Sequence, residues 1–219
     1  MEPFIRINSD NHDEWLEKRK NGIGGSDVAS VLGVSPYKTN QQIYDEKAGL
    51  KEPENIDDKP VVKYGHDAEE PLRQLFMLDH PEYALFHDSY MILQSTEYPF
   101  MQVSLDGELT DVNTGEKGIY EGKTTIIHSS RDLDKWKDEI PIYYYSQCIH
   151  AMNVTGYSFF WLRVQISFAW NPDKKEIRDY FYRKEDVLAD MEYVKQEVIK
   201  FWTENIMKGV RPGLKLPEL

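Results

Sequence analysis

One cysteine, Cys148, is all the chain carries among its 219 residues. That excludes an internal disulfide, and it excludes a zinc-thiolate or iron–sulfur site, which needs several thiolates. No apolar run approaches the roughly 18 residues that a membrane-spanning helix needs. The opening MEPFIRINSDNHDEW has no basic stretch leading into an apolar one, so no signal peptide is expected. Basic residues are in deficit as well: 26 Lys plus Arg against 38 Asp plus Glu leave a net charge of −12. A chain of that balance holds a polyanion only where its basic groups cluster or metal ions neutralise its carboxylates. Repeats, low-complexity tracts and clear linkers are missing too. What is present is ordinary globular composition, 40% apolar, 13% aromatic and 29% charged. The expectation is one domain over 1–219, with a core at about 10–185 and a closing helix at 185–209, in a reducing cytoplasm.

The first part of the chain reads as helices. DEWLEKRK (13–20) is short and charged, and GIGGSDVASVLGVSP places Ser26 as a helix N-cap, with Gly33 and Pro36 as the stop. TNQQIYDEKAG (39–49) has Thr39 or Asn40 as its cap, and 61–78 sets Ala68, Leu72, Leu75 and Phe76 at helical spacing. The period then changes. Residues 84–94, 100–110 and 118–125 read as three strands, the last two joined by a turn at Asn113-Thr114-Gly115. A helix at 140–156, a strand pair at 157–166 and 175–184, and the amphipathic helix 185–209 complete the order. Met191, Val194, Val198, Phe201 and Trp202 make a stripe on that last helix, read as core or subunit contact. The whole suggests an α/β (α+β) domain around one mixed sheet flanked by helices.

YEGKTT (120–125) is odd for a strand, because residues two apart share a face and Glu121 and Lys123 therefore stand side by side. In FMQVSLDGEL, Gln102, Ser104 and Asp106 share the face opposite Met101, Val103 and Leu105. With the turn centred on 113–115, Asp106 falls opposite Glu121 or Lys123. Two carboxylates a few ångströms apart raise each other's pKa unless a cation lies between them. Mg²⁺ accepts such a pair together with waters and phosphate oxygens, activates water and stabilises developing charge on phosphorus. A neighbouring ammonium orients the attacking water and offsets negative charge. The alternative is a plain ion pair on a solvated sheet face.

Asp, then Glu-x-Lys on a hairpin, resembles the PD-(D/E)xK nuclease superfamily, with Leu105 where a proline often precedes the Asp. WLEKRKNGIGGSDVASVLG, YGHDAEEPLRQLF, SLDGEL, YEGKTT, SSRDLDKW and YYYSQCIHAMNVTG follow in that order. Together they resemble the YqaJ-type viral recombinase branch, the phage lambda exonuclease-like group, over roughly residues 10 to 165.

The resemblance implies a restriction-endonuclease-like core and a set of roles. Asp106 and Glu121 would ligate metal with the Gly122 carbonyl, and Lys123 would be the catalytic lysine. Glu69, with Glu70 competing for its role, would support the lysine or the metal's water; Gln147 would contact the site water or phosphate. Arg19 and Ser26 would form a pocket for a 5′-phosphate, with Lys18 and Lys20 as substitutes for Arg19. Guanidinium groups and helix N-termini do bind phosphate. Arg131 would be a further arginine of that phosphate pocket, Ser104 would touch backbone phosphate, and Trp15 would stack on a base. His150 is read as structural.

The implied function is a Mg²⁺-dependent (or Mn²⁺-dependent) 5′-to-3′ exonuclease on double-stranded DNA ends, holding two ions with substrate bound. It would leave 3′ single-stranded tails for an annealing partner and assemble as a homotrimeric ring in the host cytoplasm, without a membrane. An endonuclease on the same scaffold and a catalytically silent DNA-end-binding module are the alternatives.

Overall fold

A computed structural model describes residues 2–56 and 58–216. In chain order, β1 (Phe4–Ile7) and α1 (His12–Arg19) lead into α2 (Gly25–Leu32), α3 (Asn40–Lys47) and α4 (Pro60–Asp79). Strands β2 (Tyr83–Phe86), β3 (Ile92–Ser95), β4 (Gln102–Val103), β5 (Gly107–Asp111) and β6 (Lys117–Ile127) come next. Then follow α5 (Ser130–Asp134), α6 (Ile142–Thr155), β7 (Phe159–Phe168), β8 (Asn171–Arg183) and α7 (Leu188–Lys200). The last helix runs on into a π-helical turn at Phe201–Ile206. Among the described residues, no helix is long and apolar enough to cross a membrane.

The larger sheet has the order β2-β5-β6-β7-β8 and is mixed: β6 and β7 run parallel, and every other pair is antiparallel. Parallel neighbours need a long crossover, and α6 lies within it. A smaller antiparallel sheet, β1-β3-β4, stands beside it. One face of β7 is apolar along its length, with Phe160, Leu162, Val164 and Ile166 all buried. Against it packs α6, through Cys148, Ile149 and Met152, and the stripe of α7, Met191, Val194 and Val198, packs in turn on α6 and α2. The closing stripe is therefore core, and Trp202 stacks on Phe100 with ring centroids 5.2 Å apart. On α4 the buried stripe is Ala68, Leu72, Arg73 and Phe76, while Leu75 is exposed.

Two of the expected strands are each broken in half. Residues 84–94 divide into β2 in the larger sheet and β3 in the smaller, because Asp88 accepts the Tyr90 N–H at 3.1 Å in a side-chain turn. Residues 100–110 divide into β4 and β5 around Ser104-Leu105-Asp106, where the chain passes from one sheet to the other. Apolar alternation at Met101, Val103 and Leu105 runs through the second break and hides it. Ser26 is likewise not the cap of α2. That position is Gly24, whose N–H donates to Asp27 Oδ2 at 2.9 Å, so Ser26 lies in the first turn.

Candidate active site

Strand β6 is longer than the partner on its β5 side. Pairing stops with Gly107 opposite Tyr120, so β6 presents an open edge from Glu121 onward. Asp106 is the next residue in that register, which brings it to Glu121, the first of the two alignments the turn allowed. Its carboxylate covers the open edge: Oδ2 accepts the Gly122 N–H at 2.9 Å. In an extended strand a residue's carbonyl points to the same side as its N–H, so the Gly122 carbonyl is presented beside Asp106.

Glu121 is 1% exposed and its Oε1 accepts from both Lys123 Nζ and Gln147 Nε2 on α6. Lys123 Nζ also lies 3.9 Å from Asp106 Oδ2 and 5.8 Å from the centre of the Tyr144 ring. Burial, joined by the charge of Asp106, pushes the Glu121 carboxyl up to about 7 against the pull of Lys123. For Lys123, burial opposes the charge, yet Glu121 and Asp106 outweigh it and hold the pKa above the ordinary lysine value. The Lys123 ammonium is thus firmly charged beside Glu121.

Helix α4 closes one side. Glu69 lines the cleft, with Oε1 3.1 Å from His66 Nδ1. Glu70 does not line it; it is taken up by Arg73 and Gln74, each at 2.8 Å. Arg73, unremarked in the sequence, is buried and donates from Nη1 to the Asp106 carbonyl at 3.4 Å. The signal for it was acid–Arg spacing of three and four residues from Glu70 and Glu69, which puts the three on one helix face.

A cleft of about 690 Å³ runs from Asp106 and Lys123 to the first turn of α2; the buried Glu121 is not part of its lining. Arg19 Nη2 donates to Ser26 Oγ at 3.1 Å, and the Arg19 guanidinium lies 4.3 Å from the Trp15 ring centre. Burial lowers the Arg19 pKa, with Asp27 opposing. Trp15 Nε1 donates to Ser104 Oγ at 3.0 Å, linking the Arg19 end to the Asp106 loop. Gly25 lines the same end, and the first-turn N–H groups of a helix lack intrahelical partners.

Lys18 and Lys20 do not line the cleft. Their ammonium groups pair with Glu14 and with Glu17 and Glu52. Arg131, exposed on α5, is also outside the lining. Of 38 acidic residues in the chain, Glu69 and Asp106 are the only ones, among the described residues, that line it. His150 is buried, its Nε2 within 3.1 Å of the Ile23 carbonyl and 3.2 Å of the Gln102 carbonyl.

The donor set suits a hard divalent cation. Two carboxylates and a carbonyl are the oxygen ligands that Mg²⁺ or Mn²⁺ takes, with substrate oxygens and water completing the shell. Burial raises the Glu121 pKa most, and the charge of Asp106 adds to it, a repulsion that such a cation would relieve. Among the described residues, no group of three His, Cys, Asp or Glu side chains is gathered for a metal, so the carbonyl and substrate oxygens would be needed.

The family model of the YqaJ-like viral recombinase domain matches residues 14–158. Protein YqaJ of Bacillus subtilis is 31% identical over 208 residues; the match takes in 92% of this chain and 59% of YqaJ, so the chain spans under two thirds of that relative. Protein D345L of African swine fever virus is 46% identical over 54 residues, which are 23% of this chain and 16% of the viral one. Among solved structures, an alkaline exonuclease (LHK-Exo) from Laribacter hongkongensis superposes with a TM-score of 0.65 at 16% identity, covering 91% of this chain and 94% of its own. A phage-related exonuclease from Haemophilus somnus gives 0.54 at 12% identity, covering 86% and 96%. The fold they share with this chain is the PD-(D/E)xK type.

Proposed function

The chain belongs to the YqaJ-like viral recombinase family, and on that premise we propose that it is a DNA exonuclease acting at double-stranded ends. The observation that carries the reading is the buried Glu121 carboxylate shared by Lys123 and Gln147, with Asp106 on the adjoining open strand edge. A surface ion pair needs no such burial. LHK-Exo is also known in complex with dAMP, a nucleoside 5′-monophosphate, which agrees with digestion to mononucleotides.

Asp106, Glu121 and the Gly122 carbonyl would hold Mg²⁺ or Mn²⁺, with a second ion joining when DNA is bound. When bound, the metal supplies an acidified water and neutralises charge on the phosphate. The chain's own groups do the rest. Lys123 sets its ammonium against the scissile phosphate and offsets the charge that builds there. Gln147 fixes the Glu121 carboxylate, and Glu69 orients water from the α4 side. Arg19, Ser26 and the first-turn amides of α2 hold the terminal 5′-phosphate, with Arg131 as a further guanidinium for it, while Ser104 contacts the backbone. Water adds to phosphorus and the bond to the 3′ oxygen of the terminal nucleotide breaks. A 5′-mononucleotide leaves, and the shortened strand carries a new 5′-phosphate that refills the same pocket. Digestion is therefore 5′-to-3′ and leaves a 3′ single-stranded tail.

The whole chain acts as one nuclease domain in phage-type recombination in the bacterial host cytoplasm. An annealing protein receives the tail, and a homotrimeric ring keeps the enzyme on its track. A threaded strand need not be held by net charge, which reconciles −12 with a DNA substrate.

The test uses 5′-phosphorylated linear duplex and covalently closed circles, with Mg²⁺ or EDTA, for the wild type and Lys123→Ala. Loss of linear DNA alone, stopped by EDTA and by the substitution, is expected. Cut circles would make the protein an endonuclease, and no metal-dependent cleavage would leave an end-binding module.

A further inference from the structure

The cleft offers more aromatic surface than its charged end uses. Trp15 has the Arg19 guanidinium 4.3 Å from its ring centre, and its indole N–H is held by Ser104. Its ring and its N–H each therefore have a partner within the cleft. His12, the first residue of α1, lies beside it with ring centroids 5.5 Å apart, and Tyr90 lies 6.4 Å beyond His12. His12 is exposed and Tyr90 is 36% exposed, and both line the cleft. Tyr90 is fixed at its backbone by the Asp88 turn. Neither of the two cleft carboxylates, Glu69 and Asp106, belongs to α1 or to the connector at 87–91.

We infer that His12 and Tyr90 form a nucleobase-stacking subsite for the terminal nucleotide whose phosphate lies at Arg19 and Ser26. The inference rests on the DNA-end reading above and deepens it. Phosphate contacts position a strand but leave its base ungripped. The terminal base must leave its neighbour before the nucleotide can depart, and an aromatic surface repays that unstacking. Stacking is also indifferent to sequence, since every base has a π-face, and that suits an enzyme digesting any end.

The test compares two 5′-phosphorylated duplexes that differ in one respect, an ordinary or an abasic terminal nucleotide. Wild type is expected to release the first nucleotide faster from the ordinary end, by about fivefold or more. His12→Ala combined with Tyr90→Ala is expected to treat both ends alike, whereas Tyr90→Phe, which keeps the ring, is expected to keep the preference. A 5′-terminal 2-aminopurine, read in EDTA, is expected to be quenched on binding wild type and not the double variant. Equal rates on both ends in wild type would overturn the inference, as would a preference that survives in the double variant. Hydrolysis of neither end with metal, alongside intact quenching, would sink the nuclease reading and leave the subsite standing.

Discussion

The Gly122 N–H donates to Asp106 Oδ2 at 2.9 Å. A loop carboxylate thus takes the place of the strand that β6 lacks on that side, and the middle residue of Glu-x-Lys is tied to the Asp by its backbone alone. Asn at 106 can accept the same bond without the charge. Asp106→Asn is expected to melt near wild type and to lose at least about a hundredfold in nuclease rate. Gly122→Ala is expected to cost little, because its Cβ would meet only the Tyr120 ring at 3.4 Å and the carbonyl stays. Melting and single-turnover digestion of the two variants check this. A Gly122→Ala enzyme as inactive as Asp106→Asn would mean that the open edge tolerates no displacement.

The site's own electrostatics predict a pH signature. Glu121 titrates near 7 in the fold against 4.5 for an ordinary glutamate, so the metal-free fold holds a proton in that window which the unfolded chain has lost. The stability it contributes is present at acid pH and disappears as the pH rises through 7. His150 runs the other way: burial lowers its pKa from 6.5 to about 4, so its contribution is lost as the pH falls through that range. Glu121→Gln is expected to flatten the alkaline decline in melting temperature and leave the acid one. A divalent cation competes with the Glu121 proton, so it should raise the melting temperature more at about pH 8 than at about pH 5.5. A metal increment equal at both, or unchanged in Glu121→Gln, would remove Glu121 from the metal site.

Much of this site was legible because strand chemistry is local. The period of two put Glu121 and Lys123 on one face, and the turn at 113–115 restricted Asp106 to two alignments, of which the Glu121 one is observed. The breaks at 87–91 and 104–106 were not legible. Met101, Val103, Leu105 and Leu109 are all buried, so apolar alternation continues while the chain changes sheets. Strand β1 was missed for a related reason, since four residues paired with a distant strand carry no period of their own. Arg73 was hidden by its type: a charged residue on a helix reads as solvated until its burial is known.

Arg73 is expected to matter beyond stability. It donates to the Asp106 carbonyl at 3.4 Å and lies 4.0 Å from Glu69 Oε2, so it ties α4 to the loop that carries the candidate metal ligand. Arg73→Met leaves Glu70 in solvent at little cost but strands the Asp106 carbonyl, for about 1–3 kcal/mol. The maximal rate should fall by about tenfold with little change in KM for DNA, because the displaced group faces the reacting phosphate rather than the bound end. Arg73→Lys should recover stability more than rate, since one ammonium cannot span both partners as a guanidinium does. Full recovery of rate by Arg73→Lys would show that α4 needs only a charge there.

The end preference tests the other half of the cleft. Arg19 rests on Ser26 Oγ at 3.1 Å and on the Trp15 ring, so its guanidinium is held in place before any phosphate arrives. The ratio of rates on 5′-phosphoryl and 5′-hydroxyl ends isolates that contact, because both ends share the same chemistry at Asp106 and Glu121. Arg19→Ala should lower the ratio by about tenfold to a hundredfold, the ~1.5–3 kcal/mol of hydrogen bonds to a charged group. Ser26→Ala should lower it less, since the first-turn amides of α2 remain. Arg19→Lys should not restore it, because an ammonium neither forks onto phosphate nor stacks on Trp15 as a guanidinium does. A ratio unmoved in Arg19→Ala would place the 5′-phosphate elsewhere, and the exposed Arg131 would then be the next guanidinium to remove.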